Sequence, residues 1–464
     1  MPLHPACSVD VDRPSPTRPL GIEGALGVVI SAVLALPLMA GEPPAPVLEP
    51  LLLEGDTILD PVGTVEAVGQ FDVNDLGSWI SEADTDDPDP DFDDVLVIDG
   101  TLVLREGEAL PFDPPGATLG NFDSVTLDNA GRGGFNFFLD GVSDDSGVYS
   151  LVDPGAGFDS GTVLVWQEGD DAPGFPMGTP TVGFFDVKIN DAGDLLVTAS
   201  IDAAAIPSTV DRVLSIVTPD AAGGVAATTV VAAEGDVLPG QTDAITDFGT
   251  GFVGTAFNDL GHVLFVVELE GDDDAIYLFD GAMIEIAQEN GPSPITGRPW
   301  QNLASAAVAL NDAGDVVFRG DIAGDMGNDE LLVLNGGILA QEGSALADIA
   351  PFVLTDLSGP LWVSERGEVF WYGEWNDPDT TSNAGWFRDD RLLVREGDVT
   401  GDGQTITRLW GFDNGFAVSN SGDFALVRAT TVLDGLYRID LGGIFGDGFE
   451  SGDTTAWSST TGTR

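Results

Sequence analysis

The chain has few of the side chains on which covalent and metal-dependent catalysis usually rely. Its 464 residues include one cysteine, Cys7, and two histidines, of which only His262 lies beyond the N-terminal segment. With a single thiol, the fold can depend on neither an internal disulfide nor a thiolate metal site. One imidazole leaves little for a nucleophile–base pair, so we interpret His262 as a solvent-facing strand residue.

Cationic side chains are also scarce. Lys and Arg together number 16 against 78 Asp plus Glu, the formal net charge is -62, and Lys188 is the only lysine. Binding to a nucleic-acid backbone or an anionic membrane surface requires cations on the protein, so the composition argues against both partners. It favours divalent cations, a cationic partner, or a salty habitat in which screening weakens the repulsion.

Long apolar helical runs are missing except for one N-terminal stretch, Ala25 to Ala40. It contains Pro37 and is short for a bilayer span, which favours a secretory signal over an anchor. We predict a signal peptide over residues 1–41, a linker over 42–46, and no stable membrane span in the mature chain. The protein is expected to be a monomer that is secreted or displayed on the cell surface.

One turn motif recurs seven times along the rest of the chain. In its typical form, Asn311-Asp312-Ala313-Gly314 separates two apolar runs. Asn and Asp side chains can accept hydrogen bonds from nearby amides, and Gly tolerates the positive φ that closes a hairpin. The turn glycines are Gly77, Gly131, Gly193, Gly261, Gly314, Gly367 and Gly422.

A second motif, Glu followed by Gly, recurs in phase with the turns. The seven glutamates are Glu54, Glu106, Glu168, Glu234, Glu289, Glu342 and Glu396. At Glu289 the sequence reads as an insertion of Asn290 before Gly291. An acid–base catalyst needs carboxylates in unlike environments, whereas these repeat one environment seven times. We therefore expect each Glu to end a strand and accept amide or Arg hydrogen bonds between repeats.

Each repeat holds four short strands in roughly 55 residues, the size of a β-propeller blade. The region begins with a lone last strand before Glu54 and ends near Gly435 to Asp440 with a third strand that has no Glu-Gly of its own. Joining the two ends completes a blade and leaves no free sheet edge. The sequence predicts an all-β, seven-bladed β-propeller of four-stranded blades over 47–443, closed by the N-terminal strand and followed by a tail over 444–464.

Oxygen-bearing side chains alternate in one segment as they do in the first half of a calcium loop. These residues are Asp398, Thr400, Asp402 and Gln404. Leu409 stands where a bidentate acid belongs, so a plain Asp-Gly turn is the alternative. The stretch from Asp84 to Asp94 contains seven aspartates and could bind calcium or form a solvated loop. Calcium is the only cofactor that the sequence suggests.

Tryptophans are concentrated in the last two repeats. The faces of Trp371 and Trp375 could stack on sugars. The two residues also alternate along one strand, which favours packing between blades.

The repeated segments N-D-A-G-D-V-V-F and L-N-G-G-I-L-A-Q-E-G resemble tandem-repeat proteins exported by bacteria, a group of largely uncharacterised function. The likeness covers residues 48–443 and implies a secreted, propeller-like scaffold with no catalytic residues to carry over. Residues 447–458, D-G-F-E-S-G-D-T-T-A-W-S, resemble a terminal motif of other exported bacterial proteins. That resemblance implies sorting or surface placement.

Together these features favour a noncatalytic scaffold that binds an unknown extracellular glycan or protein through the loops of one face. One alternative is a polysaccharide hydrolase or lyase with carboxylates from the longer loops of blades two and three. Another is a calcium-dependent extracellular adhesive protein. Two acids about 5–10 Å apart in an axial cleft beside exposed Trp would favour the enzyme. A channel lined by equivalent repeated residues would favour the binding scaffold.

Overall fold

The computed structural model describes residues 46–58, 63–204, 206–208, 210–248, 254–271, 273–303, 306–412 and 415–442. The predicted signal peptide, most of the linker and the predicted tail lie outside these residues. Within the described residues, no helix has the length and apolar character that a membrane crossing needs.

The described strands form seven antiparallel sheets, which are the blades of a β-propeller. The first strand in the chain, β1 (Leu48–Leu53), belongs to the last blade. Blades 1 to 3 follow with four continuous strands each: β2 (Val65–Val73), β3 (Trp79–Thr85), β4 (Asp94–Ile98) and β5 (Thr101–Arg105); β6 (Thr118–Leu127), β7 (Gly133–Asp140), β8 (Ser146–Leu151) and β9 (Thr162–Gln167); β10 (Thr181–Ile189), β11 (Leu195–Ile201), β12 (Arg212–Pro219) and β13 (Val225–Ala233).

Blades 4 to 7 have the same order, but two short strands share the innermost position. Their strands are β14 (Ile245–Phe248), β15 (Thr255–Phe257), β16 (Val263–Leu269), β17 (Asp273–Phe279) and β18 (Met283–Gln288); β19 (Trp300–Asn302), β20 (Val308–Leu310), β21 (Val316–Ile322), β22 (Glu330–Leu334) and β23 (Gly337–Gln341); β24 (Leu354–Asp356), β25 (Leu361–Val363), β26 (Val369–Trp375), β27 (Ala384–Arg388) and β28 (Arg391–Arg395); β29 (Arg408–Leu409), β30 (Phe416–Val418), β31 (Phe424–Thr430) and β32 (Asp434–Asp440). The helical elements include α1 (Phe158–Gly161) and 3₁₀ turns at Pro154–Ala156 and Ala347–Ile349.

The divided inner strand is a departure from the expected four continuous strands. In blade 6 the break lies between β24 and β25 and contains Gly359 and Pro360. Pro360 has no N–H to donate to the ladder, and Gly359 has a φ of 92°. In blade 7 the break contains Gly411 and Gly415. In blades 6 and 7, glycine and proline residues therefore lie where the innermost strand is divided, and the order of the strands in the sheet is unchanged.

The middle strands of the blades are buried on both faces because each blade packs between two others. All six residues of β8 are buried, and so are six of the seven in β16. Apolar clusters fill the spaces between neighbouring blades. Trp166 of blade 2, for example, meets Phe184 of blade 3 edge-on, with the ring centroids 5.1 Å apart. The core is thus a series of inter-blade layers.

Pairing between the two ends of the chain confirms the predicted closure. Strand β1 runs antiparallel to β32, with Leu48 opposite Ile439 and Leu52 opposite Leu436. Leu48 packs in the layer between blades 6 and 7, whereas Leu52 packs between blades 7 and 1. One N-terminal strand therefore contributes to the cores on both sides of the last blade.

The interpretation of Asn290 as an insertion is wrong. The residue that follows each repeated Glu has a positive φ, 74–89° at the six glycines and 63° at Asn290. In six of the seven linkages this residue donates its N–H to the first strand of the next blade, as Asn290 does to the Trp300 carbonyl at 2.9 Å, and Gly397 donates to Ile406 just before β29. Asn tolerates the left-handed region better than other residues with a side chain. Asn290 therefore occupies the glycine position, and Gly291 takes the place of the residue that follows the glycine in the other repeats, as Asp56 follows Gly55.

We expect this backbone requirement to appear in stability measurements. A Cβ added at Gly55 would have no atom within 4 Å, so Gly55→Ala tests its φ of 89° alone. The variant should lose about 1–2 kcal/mol of unfolding free energy in urea. Asn290→Gly should change the unfolding free energy by less than about 0.5 kcal/mol.

Gly327→Ala is the matched control, because Gly327 also has open space around it but no positive φ. Equal unfolding free energies for Gly55→Ala and Gly327→Ala would contradict the assigned role of the linkage position.

Candidate functional site

The N-D-x-G turns join the innermost strand of each blade to the second strand, so they lie on one face of the propeller, here called the turn face. All seven turn glycines have φ between 72° and 84°. Each donates its N–H to the carbonyl of the first turn residue, at 2.8–3.1 Å. The side-chain oxygen of Asn74 accepts the N–H groups of Leu76 and Ser78, both at 3.0 Å. This is the geometry of a hairpin turn whose last residue has the positive φ that glycine tolerates best.

The first turn residue also connects neighbouring blades. In four blades its side-chain amide nitrogen donates to the backbone carbonyl of the corresponding residue in the next blade, at 2.8–3.1 Å. These bonds run from Asn74 to Asp128, from Asn190 to Asn258, from Asn258 to Asn311, and from Asn311 to Ser364. These donors are almost fully buried. Satisfying a buried amide in this way explains why Asn is preferred at that position.

The second turn residues form a closed circle, which we call the axial ring. Its members are Asp75, Asn129, Asp191, Asp259, Asp312, Glu365 and Asn420. In blades 1 to 5, the backbone N–H of each member donates to the side-chain oxygen of the member in the next blade, at 2.6–3.0 Å. Glu365 donates to the Asn420 carbonyl at 2.8 Å, and Ser421 donates to Asp75 Oδ1 at 2.6 Å, which completes the circle.

The axial ring is narrow enough for side chains from distant blades to meet. Asn420 Nδ2 of blade 7 lies 3.5 Å from Asp259 Oδ2 of blade 4. Burial raises the pKa of Asp259 to about 6, and the negative charges of Asp191, Asp312 and Glu365 add to that effect. Burial and nearby Asp312 and Asp75 also raise the pKa of Glu365. Five carboxyl groups and two carboxamides therefore converge at the centre of the turn face.

A cavity of about 150 Å³ adjoins the axial ring and is lined by the inner strands of all seven blades. Its wall includes Asp72, Lys188 and Trp362 as well as ring residues. Lys188 Nζ donates to the Thr255 carbonyl at 2.8 Å and lies 3.6 Å from Asp186. The only lysine of the chain therefore lies on the axis.

Asp72 is a carboxyl group of this wall that accepts two backbone N–H groups. It accepts the N–H of Leu127 at 2.8 Å and that of Val73 at 2.8 Å. Burial raises the pKa of Asp72 to about 6, even though these two amides and the charge of Lys188 act in the opposite direction. A carboxyl group on the axis therefore changes its charge close to neutral pH.

The repeated glutamates end the outermost strands on the opposite face, here called the linkage face. Six of their side chains accept a backbone N–H at 2.9–3.4 Å: Glu54, Glu106, Glu168, Glu234, Glu289 and Glu396. Glu342 accepts the N–H of Asp329 in the same way. In the first four, the donor lies at the start of the third strand of the same blade. Most of these bonds therefore join strand ends within one blade, and only those of Glu289 and Glu396 connect one repeat to the next.

Sequence reasoning missed the acidic partners of these glutamates. In blades 1 to 5 an Asp at the start of the third strand hydrogen-bonds to the Glu carboxyl group: Asp93 to Glu106, Asp145 to Glu168, Asp211 to Glu234, Asp274 to Glu289, and Asp329 to Glu342. Burial raises the pKa of one carboxyl group in each pair, and the neighbouring acid raises it further; for Glu106 it reaches about 7. The signal in the sequence of these five blades is an Asp at or just before the start of the third strand.

The aspartate-rich stretch from Asp84 to Asp94 contains one member of these pairs, Asp93, which bonds to Glu106. Carboxylate oxygens of Asp93, Asp94 and Glu106 lie within 4.8 Å of one another. Burial raises the pKa of Asp94, and a hydrogen bond with Asp84 adds to the effect. The close carboxyl groups can share protons in this arrangement, which relieves the repulsion between them.

The candidate calcium residues form a turn in which several oxygens have partners. Thr400 Oγ1 donates to Asp402, and Thr400 also accepts the N–H of Gln404 at 3.1 Å. Asp398 accepts the N–H of Arg395 at 3.0 Å. These are the contacts of an Asp-Gly turn, and calcium binding at this segment stays a prediction.

Trp371 and Trp375 are both buried, with 0% and 2% of their surface exposed. Trp371 stacks on Phe387 with the ring centroids 4.4 Å apart and donates its Nε1–H to the Asp389 carbonyl at 2.8 Å. Both indoles belong to the layer between blades 5 and 6. Their position fits the packing alternative, and their faces are occupied by protein.

Comparisons with known proteins give one family model and distant similarity to solved propellers. A family model described as "Family of unknown function (DUF7453)" matches residues 63–282, less than half of the chain. No curated protein matches the chain. The solved Dos1 propeller is similar at 9% identity and a TM-score of 0.41, over 85% of this chain and 95% of that one. The propeller domain of Myceliophteria thermophila Cps50 (Swd1) is similar at 11% identity and a TM-score of 0.35, over 81% of this chain and 96% of that one.

Proposed function

We propose that the protein is an exported, noncatalytic binding scaffold whose turn face holds a cationic segment of a protein partner. The observation that carries this proposal is the axial ring, in which five carboxyl groups converge from equivalent positions of different blades. Their arrangement is maintained by backbone hydrogen bonds around the whole circle. Because the side chains of this site are already held in place, they lose little conformational entropy when a partner binds.

The repetition of one environment supports binding more than catalysis. General acid–base chemistry needs two carboxyl groups that differ strongly in proton affinity and face one substrate. The members of the axial ring instead occupy corresponding positions and make corresponding contacts. The inner strands of all seven blades line the adjoining cavity, but its corresponding positions carry unlike residues such as Asp72, Lys188 and Trp362, so the proposal rests on the axial ring.

Charge determines the class of partner. The formal net charge of -62 repels anions at long range and steers cations towards the protein. Lys or Arg side chains entering the axial ring would find several carboxylate oxygens in one place. Export rests on the apolar N-terminal run and on the resemblance of the tail to a terminal motif of exported proteins.

The test removes three of the five carboxyl groups of the axial ring while preserving its hydrogen bonds. The variant combines Asp191→Asn, Asp259→Asn and Glu365→Gln; Asn129 and Asn420 show that the ring already accepts carboxamides. At physiological salt, we expect the variant to bind an oligolysine peptide at least about tenfold more weakly than the native chain, a loss of about 1.4 kcal/mol. Isothermal titration calorimetry measures the difference.

The control removes the same number of charges from exposed positions, through Asp89→Asn, Asp91→Asn and Asp159→Asn. It should retain native affinity within about twofold, because screening weakens distant charges. Equal losses in the two variants, or no binding by the native chain, would refute the assigned site.

A further inference from the structure

A second cavity lies on the linkage face, at the boundary between blades 6 and 7. It measures about 240 Å³, and most of its exposed lining is polar. Six side chains define its chemistry: Tyr372, Glu374, Asn383, Glu396, Arg408 and Phe412. It is separate from the axial ring, which lies on the other face.

Beside the cavity, blade 6 differs from blade 5 at two adjacent positions. The third strand of that blade begins with Ala384, where blade 5 has Glu330. Glu330 fills its site, accepting the N–H of Leu357 at 2.8 Å and lying 3.4 Å from Arg319. The preceding residue is Asn383, where blade 5 has Asp329. The small Ala384 opens the space, and the loss of the Asp partner leaves Glu396 facing it.

The polar groups of the cavity are held in place by their neighbours. Glu396 Oε1 accepts the N–H of Leu409 at 3.3 Å, and Tyr372 Oη lies 3.4 Å from Glu374 Oε1. Burial raises the pKa of both glutamates. The guanidinium carbon of Arg408 lies 4.2 Å from the centre of the Trp410 ring. Carboxyl, hydroxyl and guanidinium groups therefore point into one small space with restrained side chains.

Close packing at one wall also restricts the sequence. A Cβ at Gly411 would lie 2.5 Å from the Tyr372 ring, so only glycine allows the chain to pass there. The next residue, Phe412, is 63% exposed at the rim. A large exposed aromatic ring beside a polar cavity is a feature that the packing of the blades does not explain.

We propose that this cavity binds a single neutral sugar residue of an extracellular glycan. Carboxylates and guanidinium groups can bond two neighbouring hydroxyls at once, and the face of Phe412 can pack on the apolar side of a pyranose ring. Ligand pockets that enclose drug-sized molecules measure roughly 300–1,000 Å³, so this smaller space fits one sugar ring better than an oligomer. Two carboxyl groups against one guanidinium disfavour uronic acids.

The experiment measures binding of soluble tetrasaccharides of glucose, xylose, mannose and galactose to the full chain, with oligogalacturonate as the anionic comparator. Isothermal titration calorimetry gives the affinity, and changes in Trp fluorescence report on Trp410 beside the cavity. We expect at least one neutral tetrasaccharide to bind and oligogalacturonate not to bind. Phe412→Ala and Glu374→Gln should each weaken that binding at least about tenfold.

Val432→Ala is the matched control for the rim aromatic, because Val432 is 82% exposed in the β31–β32 hairpin on the same face. It should bind with native affinity. Absence of binding to all four neutral tetrasaccharides, preference for oligogalacturonate, or native affinity in both cavity variants would each overturn the proposal. The triple axial-ring variant should bind the sugar normally, which separates this site from the proposed cation site.

Discussion

Removal of residues 47–56 is expected to abolish cooperative unfolding near the native melting temperature. This segment contains β1, whose Leu48 and Leu52 are 2% and 4% exposed and pack in two different inter-blade layers. Each buried Leu contributes about 1.5–3 kcal/mol, and the strand also supplies the hydrogen-bond ladder to β32. Because native proteins are stable by only about 5–15 kcal/mol, the loss is comparable to the total.

Thermal unfolding monitored by circular dichroism compares chains that begin at residue 46 and at residue 57. The longer chain is the control and should melt in one sharp transition. A synthetic peptide of residues 46–56 should restore that transition to the shorter chain, because β32 offers it an open edge. Identical melting of the two chains would show that the last blade does not need its N-terminal strand.

Raising the pH from about 5.5 to about 8 is expected to lower the melting temperature. The pKa values of Asp72 and Glu82 are raised to about 6 and about 7 in the folded chain, in both cases mainly by burial. In the unfolded chain such groups ionise near pH 4. Between the unfolded and the folded pKa values, the native state binds more protons than the unfolded chain. The stability of the native state is therefore greatest at low pH and is lost as the pH rises through the folded pKa values.

Several carboxyl groups contribute to this trend. Burial also raises the pKa of Glu330 to about 7, and the repeated acid pairs on the linkage face shift in the same direction. One pKa unit corresponds to about 1.4 kcal/mol of unfolding free energy. The shifts of only a few of these carboxyl groups therefore add up to several kcal/mol. Ordinary carboxyl groups are fully ionised by about pH 5.5 and contribute little to the change.

Differential scanning calorimetry at low salt measures the effect. The double variant Asp72→Asn and Glu82→Gln keeps hydrogen-bond acceptors and should show a flatter dependence on pH. The exposed double variant Asp89→Asn and Asp91→Asn should keep the native slope. A melting temperature that stays constant or increases over this pH range would contradict the assigned protonation.

The repeats in the sequence were sufficient to predict the architecture. The positive φ of the turn glycines, the number of blades and the pairing of the chain ends all follow from local turn chemistry and from the phase of the two motifs. Local signals of this kind depend on residues a few positions apart, which a single sequence displays directly. The misreading of Asn290 came from treating Gly as essential where only a positive φ is required.

The sites depend on contacts between residues that are far apart in the chain. The axial ring joins residues 53 to 68 positions apart, and its closing bond spans 346. The acid pairs on the linkage face join residues at opposite ends of two strands, so their coupling becomes visible only when the hairpin is folded. The linkage-face cavity lies beside Ala384 and Asn383, and its space becomes visible only when these residues are compared with Glu330 and Asp329 of the folded blade 5.

Strong acidity and a rigid ring are related features of this molecule. Backbone hydrogen bonds hold the carboxyl groups of the axial ring together despite their repulsion, and raised pKa values show that their charge is costly. A bound cationic group would relieve this cost. The ring therefore combines a structural role, which connects the blades, with the binding role proposed for the turn face.

Cross-linking of the two chain ends tests the closed ring most directly. Glu49 and Arg438 lie opposite each other in β1 and β32, and opposite residues in antiparallel strands have a Cα separation suited to a disulfide. In a chain that begins at residue 46, which has no cysteine of its own, Glu49→Cys with Arg438→Cys should form an intramolecular disulfide in nearly all molecules, as measured by peptide mass spectrometry. Glu49→Cys with Asp220→Cys in blade 3 should not. Failure of the first pair to cross-link, or equal cross-linking of both pairs, would contradict the closed seven-bladed propeller.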